Sequence, residues 1–145
     1  MKGKAWALFL KAYATLVNQV EAAFATAQLP PLTWYDVLWE LEKAEDGRLR
    51  MHELAQQVVI TRSNLSRLLD RLESAGLITR EPCPDDRRGA FAVISAAGRA
   101  MRRKIWPVYS AQIAALFANH LTDSEARQMV TTFRKLITDI EAAPS

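Results

Sequence analysis

Thr61-Arg62-Ser63-Asn64-Leu65-Ser66-Arg67-Leu68-Leu69-Asp70-Arg71-Leu72-Glu73-Ser74-Ala75-Gly76 has the pattern of a single amphipathic helix with both ends marked. Its apolar residues Leu65, Leu68, Leu69 and Leu72 fall at i, i+3, i+4 and i+7, the spacing of one buried helical stripe. At about 100° per residue the other positions form an unbroken polar arc of Arg62, Ser63, Asn64, Ser66, Arg67, Asp70, Arg71, Glu73 and Ser74. Thr61 is placed to cap the free N–H groups at the start of the helix. Gly76 is placed to take the left-handed position of a Schellman stop, with Leu77 folding back on Leu72. Short hydrogen-bonding side chains mixed with arginines are the chemistry that base edges and phosphates require.

The neighbours of this helix extend the reading. A helix over 51–58 turns Leu54, Ala55 and Val58 inward, and only Val59, Ile60 and Thr61 separate it from the next, the short connection of a helix-turn-helix. After Gly76 the period changes. Leu77-Ile78-Thr79-Arg80-Glu81 and Ala90-Phe91-Ala92-Val93-Ile94 read as two strands, with Pro82 to Gly89 as a long, charged hairpin tip. Further out, a helix over 6–27 has an apolar stripe too wide for a lone surface helix, and Leu29-Pro30-Pro31 breaks it. Thr33 and Asp36 resemble a capping box opening a helix over 34–43, Glu45-Asp46-Gly47 a turn, and Arg48-Leu49-Arg50 a short extended piece. Ser95 caps a long helix from 96 to about 119 that Pro107 should kink. Thr122-Asp123-Ser124-Glu125 is the capping box of a last amphipathic helix.

Half of the 145 residues are apolar, enough for a folded core. The net charge is only +3, but the ten Lys/Arg against five Asp/Glu between Arg62 and Lys104 concentrate positive charge where a phosphate footprint would need it. No apolar run approaches the ~18 residues of a membrane span and no signal segment is visible, so a cytoplasmic chain that does not engage membranes is expected. The single cysteine, Cys83, rules out an intramolecular disulfide. His52 and His120 form no metal-spaced cluster, and no glycine-rich phosphate loop or nucleophile motif occurs. The expectation is a protein that is not an enzyme and has no metal or cofactor.

Leu32-Thr33, Tyr35, Val37-Leu38, Glu53-Leu54-Ala55, Ser63 to Leu72, Gly76-Leu77-Ile78, Asp86-Arg87-Arg88 and Ser95-Ala96-Ala97-Gly98 together resemble the multiple antibiotic resistance regulator (MarR) family. The resemblance covers about 32–98 in motifs and the whole chain in element order. It implies a mainly α (α+β) fold: one domain over 1–145, with a winged helix-turn-helix DNA-binding lobe over 33–95 and dimerisation helices over 4–28 and 96–142. The apolar terminal helices, which so small a chain leaves uncovered, point independently to a homodimer. Function by resemblance is regulation of transcription at palindromic operators in double-stranded DNA, usually as a repressor that a small effector releases.

Thr61, Arg62, Ser63, Asn64, Ser66 and Arg67 are the candidate major-groove contacts. Asp86, Arg87 and Arg88 match the family's wing, in which the Asp orients an Arg that enters the minor groove, where a narrow A·T-rich groove attracts cations. Trp6, Tyr13, Trp34, Tyr35 and Trp39 fall where the resemblance implies a pocket for a small aromatic or phenolic effector. Their own chemistry favours filling core and dimer interface. Cys83 is the one candidate for redox sensing, and with no resolving partner it reads rather as an ordinary surface or semi-buried thiol. The alternative from a different class is a winged-helix module for protein interaction or assembly, without specific DNA binding.

Overall fold

The computed structural model describes residues 1–141 with their side chains, except 86–88, which like 142 are described by backbone alone. Among the described residues six helices and three strands follow in order: α1 (Lys2–Thr26), α2 (Leu32–Lys43), β1 (Arg48–Arg50), α3 (Met51–Gln57), α4 (Arg62–Ser74), β2 (Ile78–Cys83), β3 (Asp86–Ile94), α5 (Ala96–Leu116) and α6 (Asp123–Ala142). Short 3-10 turns lie at Glu45–Gly47 and Ala118–His120. The chain forms two compact units, Met1–Tyr109 and Ser110–Ser145. No helix among the described residues is long and apolar enough to cross a membrane.

In the first unit the core is built by α4. Leu65, Leu68, Leu69 and Leu72 are all buried, joined by Val37, Leu38 and Leu41 of α2, Leu54 of α3, and Ile78, Ala92 and Ile94 of the sheet. Each buried leucine contributes about 1.5–3 kcal/mol relative to an exposed one. The sheet is antiparallel in the order β1-β3-β2, with Arg48 opposite Val93 and Ile78 opposite Ile94.

Both ends of α4 are fixed as the sequence indicates. The Asn64 N–H donates to Thr61 Oγ1 at 3.4 Å. Gly76 adopts φ +77°, its N–H donates to the Glu73 carbonyl, and the Leu77 N–H donates to the Leu72 carbonyl, both at 2.9 Å. These are the two bonds of a Schellman stop. In the second unit Thr122 and Glu125 cap α6 reciprocally, with the Glu125 N–H on Thr122 Oγ1 at 3.1 Å and the Thr122 N–H on Glu125 Oε1 at 3.0 Å.

Three local expectations are corrected. The hairpin tip is short, because β2 runs on to Cys83 and β3 starts at Asp86, leaving a turn at Pro84-Asp85 and a register shift between Pro82 and Cys83. Pairing carries the strands outward and a bulge absorbs the mismatch. Thr33 does not cap α2, which begins one residue before it at Leu32 and has no side-chain cap at Pro31. Instead Glu21 reaches from α1 to accept the Leu32 N–H at 2.6 Å. Cys83 is neither at the surface nor semi-buried: it is 5% exposed, since the bulged end of β2 turns it inward.

At the junction of β2 and α5, the Ser95 hydroxyl donates to the Gly76 carbonyl at 2.7 Å and accepts from the Gly98 N–H at 3.0 Å. A Cβ at Gly98 would collide with the Leu77 carbonyl oxygen and lie 2.8 Å from Ile94 Cγ1. Gly98→Ala is therefore expected to lower stability by about 1–3 kcal/mol, read from the urea midpoint. Gly3→Ala, in the first turn of α1 with nothing within 4 Å of the new methyl group, serves as the control and is expected to leave stability unchanged or raise it by up to about 1 kcal/mol.

Candidate nucleic-acid interface

Because α4 spends its leucines on the core, its other side is left to solvent. Thr61, Arg62, Ser63, Asn64, Ser66 and Arg67 are all exposed, as are Asp70, Arg71, Glu73 and Ser74. Arg62, Arg67 and Arg71 thus share a face with the carboxylates of Asp70 and Glu73. Those two carboxylates meet Arg80 of β2, whose Nη2 lies 2.6 Å from Asp70 Oδ1 and whose Nε lies 4.0 Å from Glu73 Oε1. Asp86, Arg87 and Arg88 belong to β3, and their side chains lie outside the described residues.

The hairpin is braced from β1. Arg48 lies 4.4 Å and Arg50 5.5 Å from the Phe91 ring centroid, with Arg48 also 3.8 Å from Glu81 and Arg50 3.9 Å from Asp85 at the turn. Register accounts for the stacking, since Arg50 and Glu81 both pair with Phe91 across the sheet. The sequence places Arg48 and Arg50 in a short extended piece and Arg80 in a strand, without giving any of them a role at this surface. Strand alternation held the missing signal: it sets Arg80 on the core side with Ile78, beside α4, and the two β1 arginines on the side of Phe91.

The five aromatic residues singled out from the sequence occupy different settings. Trp6 and Tyr13 are exposed on α1. Trp34 packs against the helical core. Tyr35 is buried in an aromatic group, its ring centroid 6.1 Å from Trp106 and 5.0 Å from Tyr109, with Phe24 edge-on to Tyr109 at 5.7 Å. Trp39 carries the Arg102 guanidinium 5.2 Å above its ring, and Arg102 is ion-paired with Glu42, which also lies 3.8 Å from Arg99. Trp106 and Tyr109 went unnoticed as partners of Tyr35, because they lie on a helix whose apolar periodicity alone does not say which ring meets which.

Comparison with known proteins gives this arrangement its context. Residues 27–89 match the MarR family model. The crystal structure of AbsC, a MarR family transcriptional regulator from Streptomyces coelicolor, superposes with a TM-score of 0.87 at 28% identity, covering 97% of this chain and 95% of that one. The chain is MarR-like over nearly its whole length. A second MarR family regulator from Streptomyces coelicolor, Sco3205, solved in complex with DNA, gives a TM-score of 0.88 at 29% identity over 99% of this chain and 89% of its own. The HTH-type transcriptional regulator YkoM of Bacillus subtilis, itself uncharacterized, is 26% identical over 61% of this chain. That alignment spans 57% of YkoM's own length. These MarR-family relatives are transcriptional regulators rather than enzymes, and α3, α4 and the β2–β3 hairpin are this chain's helix-turn-helix and wing.

Beneath the helix-turn-helix, a cleft is lined by Thr33, Asp36 and Val37 of α2, by Val58, Val59 and Ile60 of the turn, and by Leu68. Burial, then the charges of Glu40 and Glu21, push the Asp36 carboxyl up from the ordinary 3.8 to about 6. Burial also raises the Tyr35 and Tyr109 phenols. With a folded pKa above its unfolded one, Asp36 favours the folded state below about pH 4, and that contribution is lost as pH rises to about 6. Asp36→Asn is expected to remove this slope. It should also stabilise the protein at pH 7.5 by about 1–2 kcal/mol after discounting for solvent screening, measured by urea unfolding from pH 4 to 8.

Proposed function

We propose that the chain is a dimeric transcriptional regulator that binds duplex DNA. In this reading Thr61, Arg62, Ser63, Asn64, Ser66 and Arg67 face the major groove, and Asp86, Arg87 and Arg88 form a wing at the minor groove. The observation that carries the reading is the exposure of the whole polar arc of α4 while its leucines anchor the core. A base-reading helix needs both properties at once, a rigid seat and a free hydrogen-bonding face. The likeness to a MarR family regulator solved with DNA supports it.

Homodimerisation belongs to the same proposal. Trp6, Leu8, Phe9, Leu10 and Tyr13 of α1 are exposed, as are Val130, Leu136, Ile137 and Ile140 of α6, and a second copy would remove such residues from water. Two copies of α4 would then read a palindromic operator. Repression, release by a small aromatic or phenolic effector, and action in the cytoplasm complete the proposal by resemblance to the family.

Binding to labelled promoter fragments, followed by fluorescence anisotropy at two salt concentrations, tests it. Affinity should rise steeply as salt falls. Arg67→Ala and Arg88→Ala should each weaken binding about tenfold, within the ~1–3 kcal/mol of a specific contact. Unchanged affinity in both variants would overturn the assigned roles. A wild-type dimer by sedimentation with no salt-dependent DNA affinity would instead favour an assembly module.

A further inference from the structure

The two carboxylates on the exposed side of α4 pose a problem for a surface that meets phosphates. Asp70 and Glu73 stand among Arg62, Arg67 and Arg71, and like charges facing a polyanion repel it. Arg80 answers both. Its guanidinium donates to Asp70 Oδ1 at 2.6 Å and to the Ser66 main-chain carbonyl at 3.3 Å, and its Nε lies 4.0 Å from Glu73 Oε1. The side chain is 28% exposed, against 64% for Asp70 and 47% for Glu73, so the arginine lies closer in than the acids it meets. Its backbone is held in β2, paired with Ala92 of the central strand. One side chain therefore grips α4 at three successive turns from a fixed point on the wing.

From this geometry we infer that Arg80 is the positioning residue of the DNA-facing helix. It holds α4 and the hairpin at a set spacing and neutralises Asp70 and Glu73, so that phosphates meet the field of the α4 arginines. Arg80 acts through the helix rather than by touching DNA. Nη2 makes both hydrogen bonds while Nε faces Glu73, so the planar guanidinium spans acceptors on either side of it, which a single ammonium nitrogen on a flexible stem does less well. The inference rests on the proposed DNA-facing role of α4.

The test is a mutant cycle on the full chain, combining Arg80→Ala with Asp70→Asn/Glu73→Gln, read as affinity for a labelled random-sequence duplex at about 50 and 200 mM salt. Arg80→Ala alone should weaken binding about tenfold. In the Asp70→Asn/Glu73→Gln background it should cost less than about twofold, with the salt slope unchanged. Arg80→Lys run through the same cycle should lose about threefold in the wild-type background and nothing in the neutralised one. That arm keeps the test valid if the alanine variant does not fold. An equal loss in both backgrounds, with a salt slope lower by about one, would mean that Arg80 contacts a phosphate itself and would overturn the inference. Binding by the wild type that no Arg80 variant alters would overturn it too, leaving the DNA-facing reading intact. A wild type without salt-sensitive affinity would remove that reading, and the inference with it.

Discussion

The close backbone approach of Gly98 to the Leu77 carbonyl holds the helix-turn-helix and the hairpin in place. It sets the start of α5 against the start of β2 at a distance that leaves no room for a methyl group. The Leu77 carbonyl also accepts the Ser95 N–H at 3.0 Å, while the Leu77 N–H closes the end of α4. Three elements are thus registered through one residue's main chain. Gly76 makes the junction possible from the other side, since its φ of +77° lets α4 stop and β2 start without strain. The polar arc can be aimed because this junction leaves α4 little freedom to rotate about its own axis.

Around that junction, charge is managed by pairing side chains from different elements. Arg80 serves α4 from β2, Arg48 and Arg50 serve the hairpin from β1, and Arg102 of α5 serves Glu42 of α2. Most of these groups are partly exposed, where an isolated ion pair contributes only about 0–1 kcal/mol. Their common effect is geometric, because each ties a side chain of one element to a side chain of another. Asp36 is the exception. Its charged neighbours Glu40 and Glu21 are acids, and with burial they make its carboxyl resist ionisation.

Much of this was legible in the sequence because it is written in local patterns. The four leucines of α4, the Thr61 cap, the Gly76 stop, the Ser95 cap and the Thr122/Glu125 box all depend on residues within a few positions of one another. What was not legible involves partners far apart in the chain. Thr33 looked like a cap until Glu21, eleven residues before Leu32, took the N–H that needed one. The hairpin looked long-tipped because Pro82, Cys83 and Pro84 discourage strand assignment, whereas pairing with β3 carries β2 through them as far as Cys83. The aromatic contacts of Tyr35 and the grip of Arg80 likewise require knowing which helix lies beside which strand.

The strand order carries a consequence for how such a lobe can be cut or exchanged. β3 is the central strand, and one of its two edges is covered by β1, a three-residue piece preceding both α3 and α4 in the chain. Cutting out the β2–β3 hairpin would expose an unpaired row of backbone groups along β3 and leave Phe91 without its flanking arginines, an open edge of the kind that recruits foreign strands. The wing is therefore not a detachable module. A functional graft between related chains has its natural boundary ahead of Arg48, so that helix-turn-helix and wing travel as one inheritable piece.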